Sequence, residues 1–125
     1  MRIFKTKRFD RLSDKAGITD ADLTNAAREV DRGKYEADLG SEVFKKRVAR
    51  SGAGKKGGYR VILFFRKDER LFFEYVFAKS SRANIDNDEL KWHKQVAKEY
   101  LEYTDKELEA RLKEGWIIEV KHEEV

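Results

Sequence analysis

The stretch YRVILFF-RKDER-LFFEYVFA, residues 59–78, constrains the fold more than any other part of the chain. Two runs rich in Val, Ile, Phe and Tyr flank a short charged turn, which is the pattern of an antiparallel hairpin. Each run is nearly continuous in apolar residues instead of alternating, so each reads as a central strand covered by helices. Upstream, EVFKKRVAR and the glycine-rich segment Gly52–Gly58 lead into the first run, making three antiparallel strands.

The flanks read differently. MRIFKTKRF opens with a short apolar stretch that suits a strand. In TDADLTNAAREVDRG, Thr19 stands as N-cap with Asp22 at N3. Leu23, Ala26, Ala27 and Val30 follow at helical spacing, and Gly33 is placed to stop the helix. Beyond the hairpin, Asp86 and Glu89 occupy capping-box positions before an amphipathic helix, and TDKELEARLKEG repeats the device with Thr104, Glu107 and Gly115. WIIEV suits a last strand or a strap, with Trp116, Ile117 and Ile118 packing on the body, while Leu90, Ala97, Leu101, Leu108 and Leu112 form the packing stripe of the two helices. No proline, repeat or low-complexity stretch marks a linker. The expected architecture is α+β: one domain spanning 1–125, with an antiparallel-dominated four-stranded sheet and helices packed on one face.

Charge is segregated along the chain. From Val43 through Lys67 there is no Asp or Glu, although acids are plentiful elsewhere. Residues 86–125 hold twelve acids and seven bases, a net of −5, which leaves +9 for residues 1–85 of the total +4. A basic body with an acidic C-terminal part fits a polyanion-binding face, or two ordinary solvated surfaces. Charged residues at 42% with hydrophobic ones at 40% describe a globular protein, not a disordered one. Cysteine is absent, which removes disulfide and thiolate chemistry. No apolar run approaches the roughly 18 residues of a membrane span and no signal-peptide core is evident, so the expected location is the cytoplasm.

Alternation along 43–50 puts Lys45 and Arg47 on one strand face, about 6.6–7 Å apart, close to the spacing of adjacent phosphates. Lys46 and Arg50 point the other way or lie at the strand end. Arg60 begins the next strand, where antiparallel pairing returns it towards Arg47, and Lys79 and Arg82 follow the third. From spacing alone, a convergent patch and a scattered basic surface both remain open. SGAGKKGG is not a Walker loop, because Ala49 stands where its first glycine belongs and Lys56 replaces the Ser or Thr that would hold Mg²⁺. Its glycines suit a hairpin connection that exposes Lys55 and Lys56. The two histidines, His93 and His122, form no metal-ligand cluster, and His93 reads first as a helix-surface residue and second as a proton donor. Trp92, Tyr100 and Tyr103 read as packing residues before base-stacking platforms. No nucleophile–histidine constellation is assignable.

FKKRVARSGAGKKGGYRVILFF and YVFAKSSRANID together resemble the RelE/ParE superfamily of toxins from type II toxin–antitoxin pairs, nearest its RelE/HigB-like branch. The matching positions are Lys45, Arg47, Ala49, Gly54, Lys55, Gly57, Gly58, Arg60, Lys79, Arg82 and Asn84. The resemblance covers nearly the whole chain. It implies a microbial RNase-like fold with a basic concave face, and cleavage of messenger RNA in the ribosomal A site, without metal or cofactor, by attack of a ribose 2′-OH on its own 3′-phosphate. By position, Lys45 would deprotonate or orient the 2′-OH, Arg47 and Arg60 would hold the phosphate, and Lys79 or Arg82 would assist the leaving 5′ oxygen. Lys46, Arg50, Lys55 and Lys56 would contribute nucleic-acid docking charge. The implied partners are the ribosome with its message and a cognate antitoxin, which in some pairs carries a helix-turn-helix domain. Relatives often place a Tyr or His on the last element as general acid, and no residue here clearly takes that place. Some members poison DNA gyrase instead, so the alternative implied is a non-catalytic partner-binding module, such as a gyrase-poisoning ParE-like toxin or a degenerate toxin.

Overall fold

The computed structural model of the chain describes residues 1–49 and 58–122. Strand β1 (Arg2–Thr6) runs directly into helix α1 (Lys7–Ala16). Thr6 makes that abrupt change possible: it ends the strand, and its Oγ1 accepts from the Phe9 amide at 3.1 Å as the helix N-cap. Helix α2 (Asp20–Asp31) opens on the expected Thr19–Asp22 capping box, and Gly33 follows it at φ 83°. Then come β2 (Ala37–Asp38), β3 (Val43–Val48), β4 (Tyr59–Arg66) and β5 (Arg70–Ala78). Helices α3 (Asn87–Leu101) and α4 (Asp105–Glu114) carry the capping boxes at Asp86–Glu89 and Thr104–Glu107, and β6 (Ile117–Glu119) closes the described elements.

Among the described residues the sheet has six strands in the order β2-β3-β4-β5-β1-β6, not the four expected. The extra members are short: β2 has two residues and β6 three. Pairing is antiparallel except between β1 and β5, which run parallel with Arg2 opposite Arg70. The first strand is therefore inserted between β5 and β6, and Val120 N donates to Ile3 O at 2.8 Å to extend that seam.

Helices cover both faces of the sheet, which corrects the one-face expectation. On one side, Phe9 of α1 and Leu23, Ala27 and Val30 of α2 pack on Ile3, Val61, Leu63, Leu71 and Phe73. On the other, Ala97 and Leu101 of α3 and Leu108 of α4 pack on Phe4, Val43, Ile62, Phe64, Phe72 and Ile117. The physical reason is the doubly apolar character of β4 and β5. Residues 61–64 and 71–73 are all fully buried, alternate residues face opposite sides, and each buried Phe or Leu contributes roughly 1.5–3 kcal/mol only if its own side is covered. Stacked rings tie each layer: Phe4 on Phe72 at 4.9 Å, and Phe9 on Phe73 at 5.4 Å. Leu90, Ala97, Leu101, Leu108 and Leu112 all pack in the second layer, as their spacing indicated, and Ile117 joins them. Trp116 does not: it is 56% exposed.

Ile62 pairs with Tyr75 but Leu63 pairs with Phe73, so Glu74 is an extra residue, a β-bulge in the middle of β5.

Candidate nucleic-acid interface

The register of β3, β4 and β5 lays the predicted cations out in rows. Lys45, Ile62 and Tyr75 form one row across the three strands, and Arg47, Arg60 and Phe77 form the next. Ile62 and Phe77 belong to the layer beneath α3 and α4, so Lys45, Arg47 and Arg60 share that face. Rows two residues apart are separated by about 6.6–7 Å along the strands. Arg82 is drawn to the same place: its guanidinium carbon lies 5.7 Å from the Phe77 ring centroid, next to the Arg47–Arg60 row. Lys79 is exposed in the turn that follows β5. Lys45, Arg47, Arg60 and Arg82 are thus brought together, with Lys79 at the rim.

Lys46 is turned away. It shares a row with Val61 and Val76 on the opposite face, is buried, and lies 3.5 Å from Glu29 of α2. Alternation makes this unavoidable once Lys45 and Arg47 face the interface, so Lys46 is removed from the docking set. Arg50, Lys55 and Lys56 lie outside the described residues.

The acid-free stretch acquires its carboxylates from elsewhere in the chain. Arg60 Nε forms an ion pair with Glu36 Oε2 at 2.5 Å, with the Arg60 side chain only 8% exposed. Arg66 is held by Glu42 at 2.7 and 2.9 Å, and Lys67 by Asp31 at 3.0 Å. Arg82 grips Glu89 with both terminal nitrogens, one at 3.1 Å, while its Nε donates to the Asn84 carbonyl at 2.9 Å. That grip holds the Glu89 carboxyl down at about 2, through Arg82 first and the Asp86 amide second. The Arg82 guanidinium is raised above its ordinary value chiefly by Glu89, with Tyr75 adding a hydrogen bond.

His93 is not a surface residue. It is 2% exposed, wedged near the rings of Phe64, Tyr75 and Trp92, and burial pushes it down to about 4, so it is neutral at physiological pH. The surface position expected for it is therefore corrected to a buried one. Tyr75, overlooked in the sequence, stands in the same row as Lys45 and beside Arg82. Its signal was strand register, since it is the only polar-tipped residue of LFFEYVFA besides Glu74. Glu36 had no comparable signal: it gains meaning only through its contact with Arg60.

Among the described residues, no group of three His, Asp or Glu side chains is placed to hold a metal ion, and no helix is long and apolar enough to cross a membrane. A family model described as the RelE toxin of the RelE/RelB toxin–antitoxin system matches residues 1–120. No curated protein matches the chain.

Proposed function

The chain belongs to the RelE family, the toxin half of toxin–antitoxin pairs, and on that premise we propose that it is a ribosome-dependent messenger-RNA endoribonuclease that halts translation. The observation that carries this reading is the pair of adjacent rows placing Lys45, Arg47 and Arg60 on one face with Arg82 beside them. In the proposed reaction the ribose 2′ oxygen attacks the neighbouring phosphorus and the bond from phosphorus to the 5′ oxygen breaks. A 2′,3′-cyclic phosphate and a 5′-hydroxyl result. Lys45 takes or orients the 2′ proton. Arg47 and Arg60 stabilise the charge that develops on the phosphoryl oxygens, where fixed donors are worth most. Lys79 or Arg82 assists the departing 5′ oxygen. The cognate antitoxin and the ribosome with its message are the partners this reading requires, and the cytoplasm is the compartment that holds both.

A second reading draws on the ion pairs Arg60–Glu36 and Arg82–Glu89, which engage one proposed phosphate ligand and one proposed leaving-group partner in the free chain. A non-catalytic toxin that binds a protein target such as gyrase would tolerate such pairing. Primer extension on translated messages after induction separates the two. Codon-phased cleavage, reduced about 10²–10³-fold by Arg60→Ala, supports the nuclease. Growth arrest with intact messages and damaged DNA replaces it with the gyrase reading.

A further inference from the structure

Both tryptophans of the chain border one cavity of about 360 Å³, whose lining includes none of Lys45, Arg47 and Arg60. It lies where the start of α1 meets α3 and the turn between α4 and β6, and Lys7 N seals that junction by donating to Trp116 O at 3.0 Å. Trp92 and Trp116 are 46% and 56% exposed, unusual for the largest apolar side chain. The wall beside them is cationic: Lys7, Arg8 and Arg11 occupy the first turns of α1. Cations there oppose the positive pole of the helix, an arrangement that an anionic ligand reverses. The one acid of that turn, Asp10, is already engaged by Lys5 at 2.9 Å.

The lining also includes the bulged Glu74, 3% exposed. Its Oε1 is 3.4 Å from Arg8 Nη2, a long contact, while Glu74 Oε2 and Arg8 Nε are buried with no partner. One orphan acceptor and one orphan donor therefore sit side by side, next to flat aromatic surfaces. Arg8 lies between the Tyr75 and Trp92 rings at 4.9 and 5.1 Å, and Lys7 stands 5.4 Å from the Trp116 ring. Few ligands match a paired acceptor and donor, stacking planes and a basic rim at once. An acidic peptide would satisfy the rim, but its carboxylates offer neither a flat surface for the rings nor an edge carrying both N–H and lone pair. A nucleotide supplies a flat base, an edge with both N–H and lone pair, and a phosphate.

We propose that this cavity is a nucleotide-binding subsite, in which a base stacks on Trp92 and Trp116 with its edge on Glu74 and Arg8, and its phosphate on Lys7 and Arg11. The volume suits one nucleotide. The inference goes beyond message cleavage and needs only single-stranded RNA, or a free nucleotide, as its ligand.

Because the chain has two tryptophans and both line the site, intrinsic fluorescence reports on it directly. Titration with AMP, GMP, CMP and UMP should give saturable quenching by at least one of them, whereas inorganic phosphate alone should give none. Trp92→Ala should weaken the best nucleotide roughly tenfold, in line with the loss of one stacking platform, with Trp116 still reporting. Glu74→Gln should change the ranking of the four bases, and circular dichroism should show both variants folded. Absence of quenching by all four nucleotides overturns the proposal, as does equal quenching by phosphate. Quenching by an acidic peptide but by no nucleotide overturns it in favour of a protein partner. Mononucleotides cannot be cleaved, so failure here leaves the nuclease reading intact, and intact messages in the induction experiment leave this site intact.

Discussion

Replacing Glu36 by Gln separates what Arg60 does for the fold from what it does for RNA. The Arg60 side chain is 8% exposed and Glu36 is 36% exposed, with 2.5 Å between their bonded atoms. At an effective dielectric near 20, unit charges about 4 Å apart attract by roughly 4 kcal/mol before either is desolvated. Partial exposure of Glu36 discounts that figure, and the neutral amide of the variant keeps a polar contact beside Nε. The expected loss is about 1–2 kcal/mol of stability, or roughly 3–10 °C in melting temperature for a chain of this size. Binding should move the other way. The carboxylate competes with phosphate for the same guanidinium, so its removal should tighten single-stranded RNA and steepen the dependence of log K on log salt by about 0.7, the share of one added phosphate contact. Thermal melting and fluorescence anisotropy with a labelled oligonucleotide across a salt series read the two effects. A variant that is less stable but binds RNA more weakly, or with an unchanged slope, would refute the placement of Arg60 on the phosphate.

The two faces of β3 give a contrast: Arg47→Ala should weaken RNA binding, whereas Lys46→Ala, on the opposite face and paired to Glu29, should leave it unchanged; equal losses would dissolve the proposed interface. Neighbours at the C-terminal strand should differ as sharply, with Ile117→Ala costing about 2–5 kcal/mol in urea unfolding and Trp116→Ala within about 0.5, because one is 2% and the other 56% exposed. Burial holds Glu74 up at about 7 and His93 down at about 4 from ordinary values of 4.5 and 6.5, so the folded chain keeps a proton on Glu74 that the unfolded chain has lost, and lacks one on His93 that the unfolded chain binds. Relative to the parent, Glu74→Gln should therefore gain roughly 3 kcal/mol as pH rises from 4.5 to 7, and His93→Gln should gain likewise as pH falls from 6.5 to 4; unfolding curves parallel to the parent across both windows would contradict this.

Local chemistry was the legible part of the sequence. Three capping boxes, Thr19–Asp22, Asp86–Glu89 and Thr104–Glu107, are each complete within four residues, and all three are formed. The β3–β4–β5 meander was equally plain, because strand period and turn residues are also short-range. Helix α1 was missed since its apolar positions, Phe9, Leu12 and Ala16, are diluted by seven polar residues, and its cap is the last residue of a strand. The second helical layer was implied by the doubly apolar β4 and β5 but not drawn from them. In the candidate site, alternation correctly grouped Lys45 with Arg47, and register brought Arg60 to them. What no local pattern carried was the supply of acids: Glu29, Asp31, Glu36 and Glu42 reach cations between residues 46 and 67 only after the sheet has formed. Glu74 did leave a trace, a lone carboxylate inside LFFEYVFA, but a bulge is a property of two strands and is invisible in one.

The placement of β1 bears on how the chain is made. Its first strand has no partner in the residues that follow it directly: Ile3 waits for Leu71, and Phe4 waits for Glu119 on its other side. During synthesis this segment therefore leaves the ribosome with both edges unpaired, and the seam between β1 and β6 cannot close until β6 has emerged. Pairings so distant in sequence are slow to form. The sheet is thus completed last at the seam between β1 and β6, which delays assembly of the finished surface until residues from both ends of the fold have met.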